Sequence, residues 1–251
     1  MQTSKRAAFQ EELRLVSLAL LLSTVAACGR SNKTTADTTL ASSGAQPSAS
    51  STSSSTTAAA NAPIPQAIND VGTYGEDLYD EAKAGNWAKA KTLLDSLHAA
   101  SNLLPTGDQF QSQRTELNSA VSALDKAIAS RNRTAGLEAA NRVTYASAKM
   151  TTPYHGATPT EVLLLDYYGR ELEIWSAQKN AAKLKETAAA LTSTWNALRP
   201  TVQRQGGTVA AGQTDALVKR INAAKSPAEY ARTATPFLDE VDELEKVFTK
   251  Q

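Results

Sequence analysis

The residues of this 251-residue chain that are best suited to chemistry fall within one stretch, residues 141–171. It concentrates side chains that form hydrogen bonds, ion pairs and aromatic contacts: Arg142, Tyr145, Tyr154, His155, Asp166, Tyr167, Arg170 and Glu171. Two predicted helices flank a loop that contains proline and glycine, so both helices could contribute to one site. The stretch is compatible with a small polar pocket, with a partner-docking edge, or with a polar network that only fixes the register of two helices.

Spacing within the stretch indicates which charges would pair. Asp166 and Arg170 lie four residues apart, the separation typical of an ion pair on a helix surface. Glu171 lies beside the apolar stripe of the same helix, so we expect it to be partly buried. A buried carboxylate needs a hydrogen-bonding partner, and Arg142 or a tyrosine could supply it.

Common catalytic and metal-binding patterns do not occur in the sequence. The two histidines, His98 and His155, stand outside any HxxE, HxxH or HExxH arrangement, so a zinc site is not expected. There is no GxSxG, no Walker loop and no GxGxxG. We therefore predict no metal, no cofactor and no catalytic residue, with an enzyme that uses the 141–171 stretch as the alternative.

Charge is balanced along the chain, with 26 basic and 25 acidic residues and a formal net charge of +1. Removal of residues 1–28 leaves equal numbers of the two signs, and no long basic run occurs. Nucleic-acid binding requires a concentrated basic footprint, so we predict no nucleic-acid partner. Contact with anionic lipid head groups is likewise expected to be weak beyond any anchor.

The amino-terminal residues have the organisation of a secretory signal. Lys5, Arg6 and Arg14 precede an apolar run over residues 15–27. As a helix this run would be about 20 Å long, too short for a hydrocarbon core of about 30 Å. A positive start, a short apolar core and small residues at its end predict a signal peptide over residues 1–27.

The only cysteine, Cys28, directly follows that run in the sequence Val25-Ala26-Ala27-Cys28. This tetrapeptide resembles the lipobox of bacterial lipoproteins. The resemblance implies cleavage before Cys28, a diacylglycerol on its thiol and a lipid bilayer as partner. Gly29 at the next position would favour the outer membrane, facing the periplasm, in a Gram-negative cell. An ordinary secretory signal followed by a chance cysteine is the alternative.

A low-complexity segment follows the cysteine. Nine serines and seven threonines fill half of the 32 positions in residues 31–62. Such a composition buries too little apolar surface to offset its ordering entropy, so we predict a disordered tether over residues 28–62. A glycosylated or wall-spanning stalk is the alternative. The folded domain is then predicted over residues 63–251.

Helical periodicity dominates that domain, and the sequence predicts an all-α fold of about eight helices. Breaks near Asn86, Asn132, Asn180 and Pro227, spaced by 46, 48 and 47 residues, divide it into four helical hairpins. We predict an up-and-down helical bundle, with a TPR-like or HEAT-like repeat array as the alternative.

Several helix boundaries can also be predicted. Thr158-Pro159-Thr160-Glu161 and Ser226-Pro227-Ala228-Glu229 each combine a capping hydroxyl, a proline at the first helical position and a glutamate that reaches back. Pro200 is expected to kink the sixth helix or to end it early.

Taken together, the predicted signal, lipidated cysteine, tether and helical domain describe a lipid-anchored envelope protein with an unknown protein partner or small ligand. We expect a non-enzymatic binding or scaffolding module, with a periplasmic small-ligand-binding protein as the alternative.

Overall fold

A computed structural model describes residues 62–249, and these contain α-helices, one short 3-10 helix at Asp108–Phe110 and no β-strand. The predicted all-α class is therefore confirmed for the described part of the chain. The α-helices, in chain order, are α1 (Gln66–Ala84), α2 (Trp87–Ser101), α3 (Gln111–Ala129), α4 (Arg133–Thr151), α5 (Thr160–Ala177), α6 (Ala181–Arg204), α7 (Thr208–Ala223) and α8 (Pro227–Thr249).

Each helix buries one apolar stripe, and the stripes meet in two hydrophobic clusters. The first cluster is formed mainly by α1 to α4, with Leu78 and Leu124 fully buried in it. The second is formed by α5 to α8, with Leu184 and Phe237 fully buried in it. Trp175 of α5 packs against both clusters, so α5 is the helix that joins the two halves of the domain.

The pairing of helices shows why the fold is a bundle rather than an open repeat array. Helix α1 packs against α2 and against α4, and α5 packs against α6 and against α8. Each set of four helices therefore closes on itself around one core, the arrangement of an up-and-down bundle. In an open array the first helix would instead face the next repeat, and its partner would not be the fourth helix.

Three of the hairpin turns share one backbone geometry. Gly85, Arg131 and Lys179 have positive φ angles of 77°, 51° and 56°, and an asparagine follows each of them. The side chains of Asn132 and Asn180 accept hydrogen bonds from the backbone N–H three residues later and so cap α4 and α6. The predicted breaks at these asparagines therefore correspond to tight helix-to-helix turns.

The predictions about helix ends have different outcomes. Helix α5 begins at Thr160, with no side-chain cap and with Pro159 in an extended conformation, so the prediction that Thr158 caps it is wrong. Helix α6 continues past Pro200 to Arg204, so Pro200 does not end it early; the carbonyl that proline leaves without a donor lies on an exposed part of the helix. Helix α8 begins at Pro227 as predicted.

Candidate functional site: the polar faces of helix α5

The predicted site residues separate onto different faces of the central helix. Asp166 and Arg170 share one face, while Tyr167 and Glu171 share a second. Because successive helical residues are rotated by roughly 100°, the second face is turned by about that angle from the first. The structure thus places these four predicted residues in two separate networks.

Arg170 is the centre of the first network, and its side chain is only 2% exposed. Its Nε lies 3.0 Å from Asp166 Oδ2, and one terminal nitrogen lies 3.8 Å from Glu76 Oε2 of α1. The guanidinium carbon lies 5.1 Å from the centre of the Tyr79 ring. The predicted Asp166–Arg170 pair therefore exists, but the prediction that it is a surface pair is wrong, because α1 covers it.

Tyr79 extends this network towards the end of α1. Its hydroxyl donates to Glu173 Oε2 at 3.0 Å, and Lys83 Nζ lies 2.6 Å from the same oxygen. Thr235 of α8 donates to the other Glu173 oxygen at 3.3 Å. Burial, reinforced by the charge of Glu173, raises the pKa of Tyr79, so its hydroxyl remains a proton donor at all ordinary pH values.

Glu171 is the centre of the second network. Its Oε2 accepts a hydrogen bond from Trp175 Nε1, and Thr187 Oγ1 of α6 lies 3.5 Å away. The Tyr167 hydroxyl also hydrogen-bonds to this carboxylate. Burial raises the pKa of Glu171, while these hydrogen bonds oppose the rise. The expected tyrosine partner is thus present.

Aromatic rings surround the second network. The rings of Tyr145 and Tyr167 lie 4.8 Å apart between centres, and Tyr168 lies edge-on to Tyr167 at 5.1 Å. Asn141 of α4, fully buried, donates to the backbone carbonyl of Tyr167 at 3.1 Å. These contacts hold α4 and α5 in one register.

The other predicted site residues lie elsewhere. Arg142 is exposed and pairs with Glu116 of α3 at 3.4 Å, so it is not the partner of Glu171. Tyr154 stacks on Phe110 with 6.0 Å between ring centres. The side chain of His155 is exposed, and its backbone N–H donates to the carbonyl of Ala62 at 3.0 Å.

Sequence reasoning missed the contribution of α1. Glu76, Tyr79 and Lys83 are spaced by three and four residues, so they follow one side of the helix beside its apolar stripe. From that spacing alone, a line of polar side chains along one side of α1 could have been predicted. Nothing local in the sequence, however, shows that this edge faces Arg170, which is 91 positions after Tyr79.

Two shallow depressions lie away from both networks. One, of about 400 Å³, lies between the α6–α7 turn and α8 and includes Gly207 and Lys246. The other, of about 360 Å³, lies beside the 3-10 helix and includes Asp108 and Arg114. Neither contains a residue of the predicted site, and within residues 62–249 no group of three or more potential metal ligands is found.

Chemically, the charged groups of both networks contact partners within the same domain. Arg170 contacts Asp166 and Glu76, and one of its terminal nitrogens is buried without a hydrogen bond. Glu171 accepts hydrogen bonds from Trp175 and Thr187. Cys28 and the predicted signal and tether lie outside the described residues, apart from Ala62. None of the helices in the described residues is sufficiently long and apolar to cross a bilayer.

Comparison of the chain with protein-family models, with curated proteins and with solved structures found no match.

Proposed function

We propose that this protein is a cell-envelope lipoprotein whose helical domain is a non-enzymatic binding or scaffolding module. The observation that carries the proposal is the position of the only cysteine, directly after the apolar run and within Val25-Ala26-Ala27-Cys28. Acylation of Cys28 would supply two or three chains, and stable anchoring requires more than one.

The two networks on α5 support the non-enzymatic part of the proposal. Arg170 and Asp166, the most buried charged residues of the predicted site, pair with each other, and Arg170 also lies 3.8 Å from Glu76 of α1. The carboxylate of Glu171 accepts hydrogen bonds from Trp175 of its own helix and from Thr187 of α6. Arg142, Tyr154 and His155, which a ligand pocket would have to include, contact other partners or solvent. These contacts are those of a domain stabilised internally, with its outer surface left for binding.

Cys28→Ala tests the anchor in cells. We expect the variant to lose labelling by a radioactive fatty acid and to leave the membrane fraction. Ser31→Ala, three residues further along the same segment, is the matched control and should retain both properties. Unchanged membrane retention of the Cys28→Ala variant would refute the proposal.

A further inference from the structure

The hairpins give the described domain two chemically different ends. Because successive helices run antiparallel, the turns α1–α2, α3–α4, α5–α6 and α7–α8 lie together at one end, here called the distal end. The chain enters the domain at the opposite end, here called the entry end. There Ala62 contacts His155 in the α4–α5 connection, and Gly207 packs beside Val247 near the end of α8.

Exposed basic side chains gather at the distal end. The α3–α4 turn and its flanking helices carry Lys126, Arg131 and Arg133, and the α5–α6 turn carries Lys179 and Lys185. All five are exposed, and none forms an ion pair with another described residue. Their charge is therefore directed at solvent.

The α7–α8 turn adds four more basic residues of the same kind. Lys219, Arg220, Lys225 and Arg232 are exposed, and they too form no ion pair within residues 62–249. Helix α5 packs against both α4 and α8, so the three turns adjoin one another. Gln178 joins the first two directly by donating to Glu138 Oε1 at 2.5 Å.

Carboxylates at the distal end are too few to neutralise these nine basic residues. Glu81, Glu173 and Glu186 pair with Lys89, Lys83 and Lys183, which are not among the nine. Asp125, Glu138 and Glu229 accept from His98, from Gln178 and from the backbone of Lys225, so these three offset only part of the positive charge. A positive surface therefore remains, although the whole chain has a net charge of only +1.

Two of the basic residues occupy strained positions. Arg131 and Lys179 have φ angles of 51° and 56°, where the equivalent position of the α1–α2 turn is Gly85 with φ 77°. Side chains with a Cβ are disfavoured at positive φ, and glycine is the residue that fits there best. Both turns thus present a basic side chain where glycine would suit the backbone better.

The entry end has a different surface. The two large apolar side chains with high exposure in residues 62–249, Leu103 and Val209, lie there, each 75% exposed. The half of α8 that leads to this end is acidic and includes Asp239, Glu240, Asp242, Glu243 and Glu245. Within residues 62–249 neither of these exposed apolar side chains lies at the distal end, where basic side chains are the prominent exposed groups.

We propose that the distal end docks on an anionic phospholipid surface, with lysine and arginine side chains contacting lipid phosphates. The inference rests on the proposed lipid anchor, which would keep a bilayer within reach. The predicted tether, with 33 residues between Cys28 and Ala62, would span roughly 30 Å if it is a flexible coil and more if it is extended. Any polyanion would be attracted by the same charges, but the proposed anchor keeps a bilayer, and no other polyanion, within reach of the domain.

Energy transfer from a probe on the domain to an acceptor-labelled lipid tests the docking with the full, cell-derived protein in vesicles. Thr134→Cys places a probe at the distal end, and Thr106→Cys places one at the entry end. Both threonines are exposed, and acylated Cys28 would leave the introduced thiol as the only one. Vesicles of neutral lipid are compared with vesicles containing about a third anionic lipid.

We expect transfer from the Thr134→Cys probe, but not from the Thr106→Cys probe, to rise on anionic vesicles and to fall again at high salt. The double variant Arg131→Gly with Lys179→Gly should weaken this docking about 25-fold, since each basic residue near a charged membrane contributes about fivefold. It should unfold at the same or a higher temperature, because glycine relieves the positive φ. Lys149→Gln with Arg204→Gln, which removes two charges elsewhere, is the matched control and should leave docking unchanged.

Flotation on neutral vesicles reports the anchor separately. Loss of flotation there would refute the anchor, and docking would then be judged by charge-dependent co-flotation with anionic vesicles. Transfer that is the same on neutral and anionic vesicles, or that the Arg131→Gly with Lys179→Gly variant leaves unchanged, would overturn the docking proposal.

Discussion

Replacement of Arg170 by leucine tests the buried network that joins the two halves of the domain. The guanidinium lies 3.0 Å from Asp166 and has 2% of its side chain exposed. At an effective dielectric constant of about 20, a pair of unit charges at that distance attract by roughly 5 kcal/mol. Arg170→Leu removes this attraction and leaves the Asp166 carboxylate buried beside α1.

Loss of one partner from a buried ion pair typically costs about 3–5 kcal/mol. We expect Arg170→Leu to reduce the free energy of unfolding by that amount. In a domain of this size the melting temperature should fall by about 10 °C. The double variant Arg170→Leu with Asp166→Leu should regain most of the loss, because it removes the buried carboxylate, and Glu76, the other carboxylate near Arg170, has 34% of its side chain exposed to water.

Urea unfolding followed by circular dichroism at 222 nm measures all the variants. The exposed pair of Lys183 and Glu186, with side chains 47% and 69% exposed, provides the control, and Lys183→Gln should change stability by less than about 1 kcal/mol. If Arg170→Leu were as mild as Lys183→Gln, or if the double variant lost more stability than the single one, the reasoning about the buried pair would be refuted.

Two further predictions concern helix α8 and the glycines. Burial, reinforced by Glu243, raises the pKa of Glu240 to about 7, so its ionisation disfavours the folded state increasingly as the pH rises from about 4 to 7. Glu240→Gln should therefore stabilise the protein by about 3 kcal/mol at pH 8 and hardly at all at pH 4. Equal effects at both pH values in thermal melts would contradict this. A Cβ on Gly169 would lie 2.5 Å from Leu238, so Gly169→Ala should destabilise by about 1–3 kcal/mol. Gly212→Ala in α7, where a Cβ meets nothing within 4 Å, should stabilise by about 0.5–1 kcal/mol, and the opposite order of melting temperatures would disprove the packing argument.

Features that depend on local periodicity could be predicted from the sequence. The stripe of Phe237, Val241, Leu244 and Phe248 in α8 is buried as expected, since residues three and four apart share a helix face. The turns at Asn132 and Asn180 were also predictable, because a capping asparagine after a short break is a local signal.

Features that depend on distant parts of the chain could not be predicted in this way. Arg170 looked exposed because the residue that covers it, Tyr79, belongs to a helix far earlier in the sequence. The basic distal end was missed for a similar reason. Arg131 and Lys179 are 48 residues apart and reach the same end of the domain only when the hairpins align.

The ends of the helices could be predicted from the sequence only in part. Pro200 suggested an early end for α6, but the helix continues because the carbonyl that proline leaves without a donor lies on a solvent-exposed part of the helix. The sequence near Pro159 contained all the elements of a cap. The helix nevertheless begins one residue later than predicted, and the hydroxyl of Thr160 instead lies 2.7 Å from that of Thr151.

The mass of the amino-terminal peptide of the protein isolated from its native cells tests the central claim of a lipid anchor most directly. The account predicts a first peptide that begins at Cys28 and carries a thioether-linked diacylglycerol. A peptide that begins at Met1, or one in which Cys28 retains a free thiol, would contradict it.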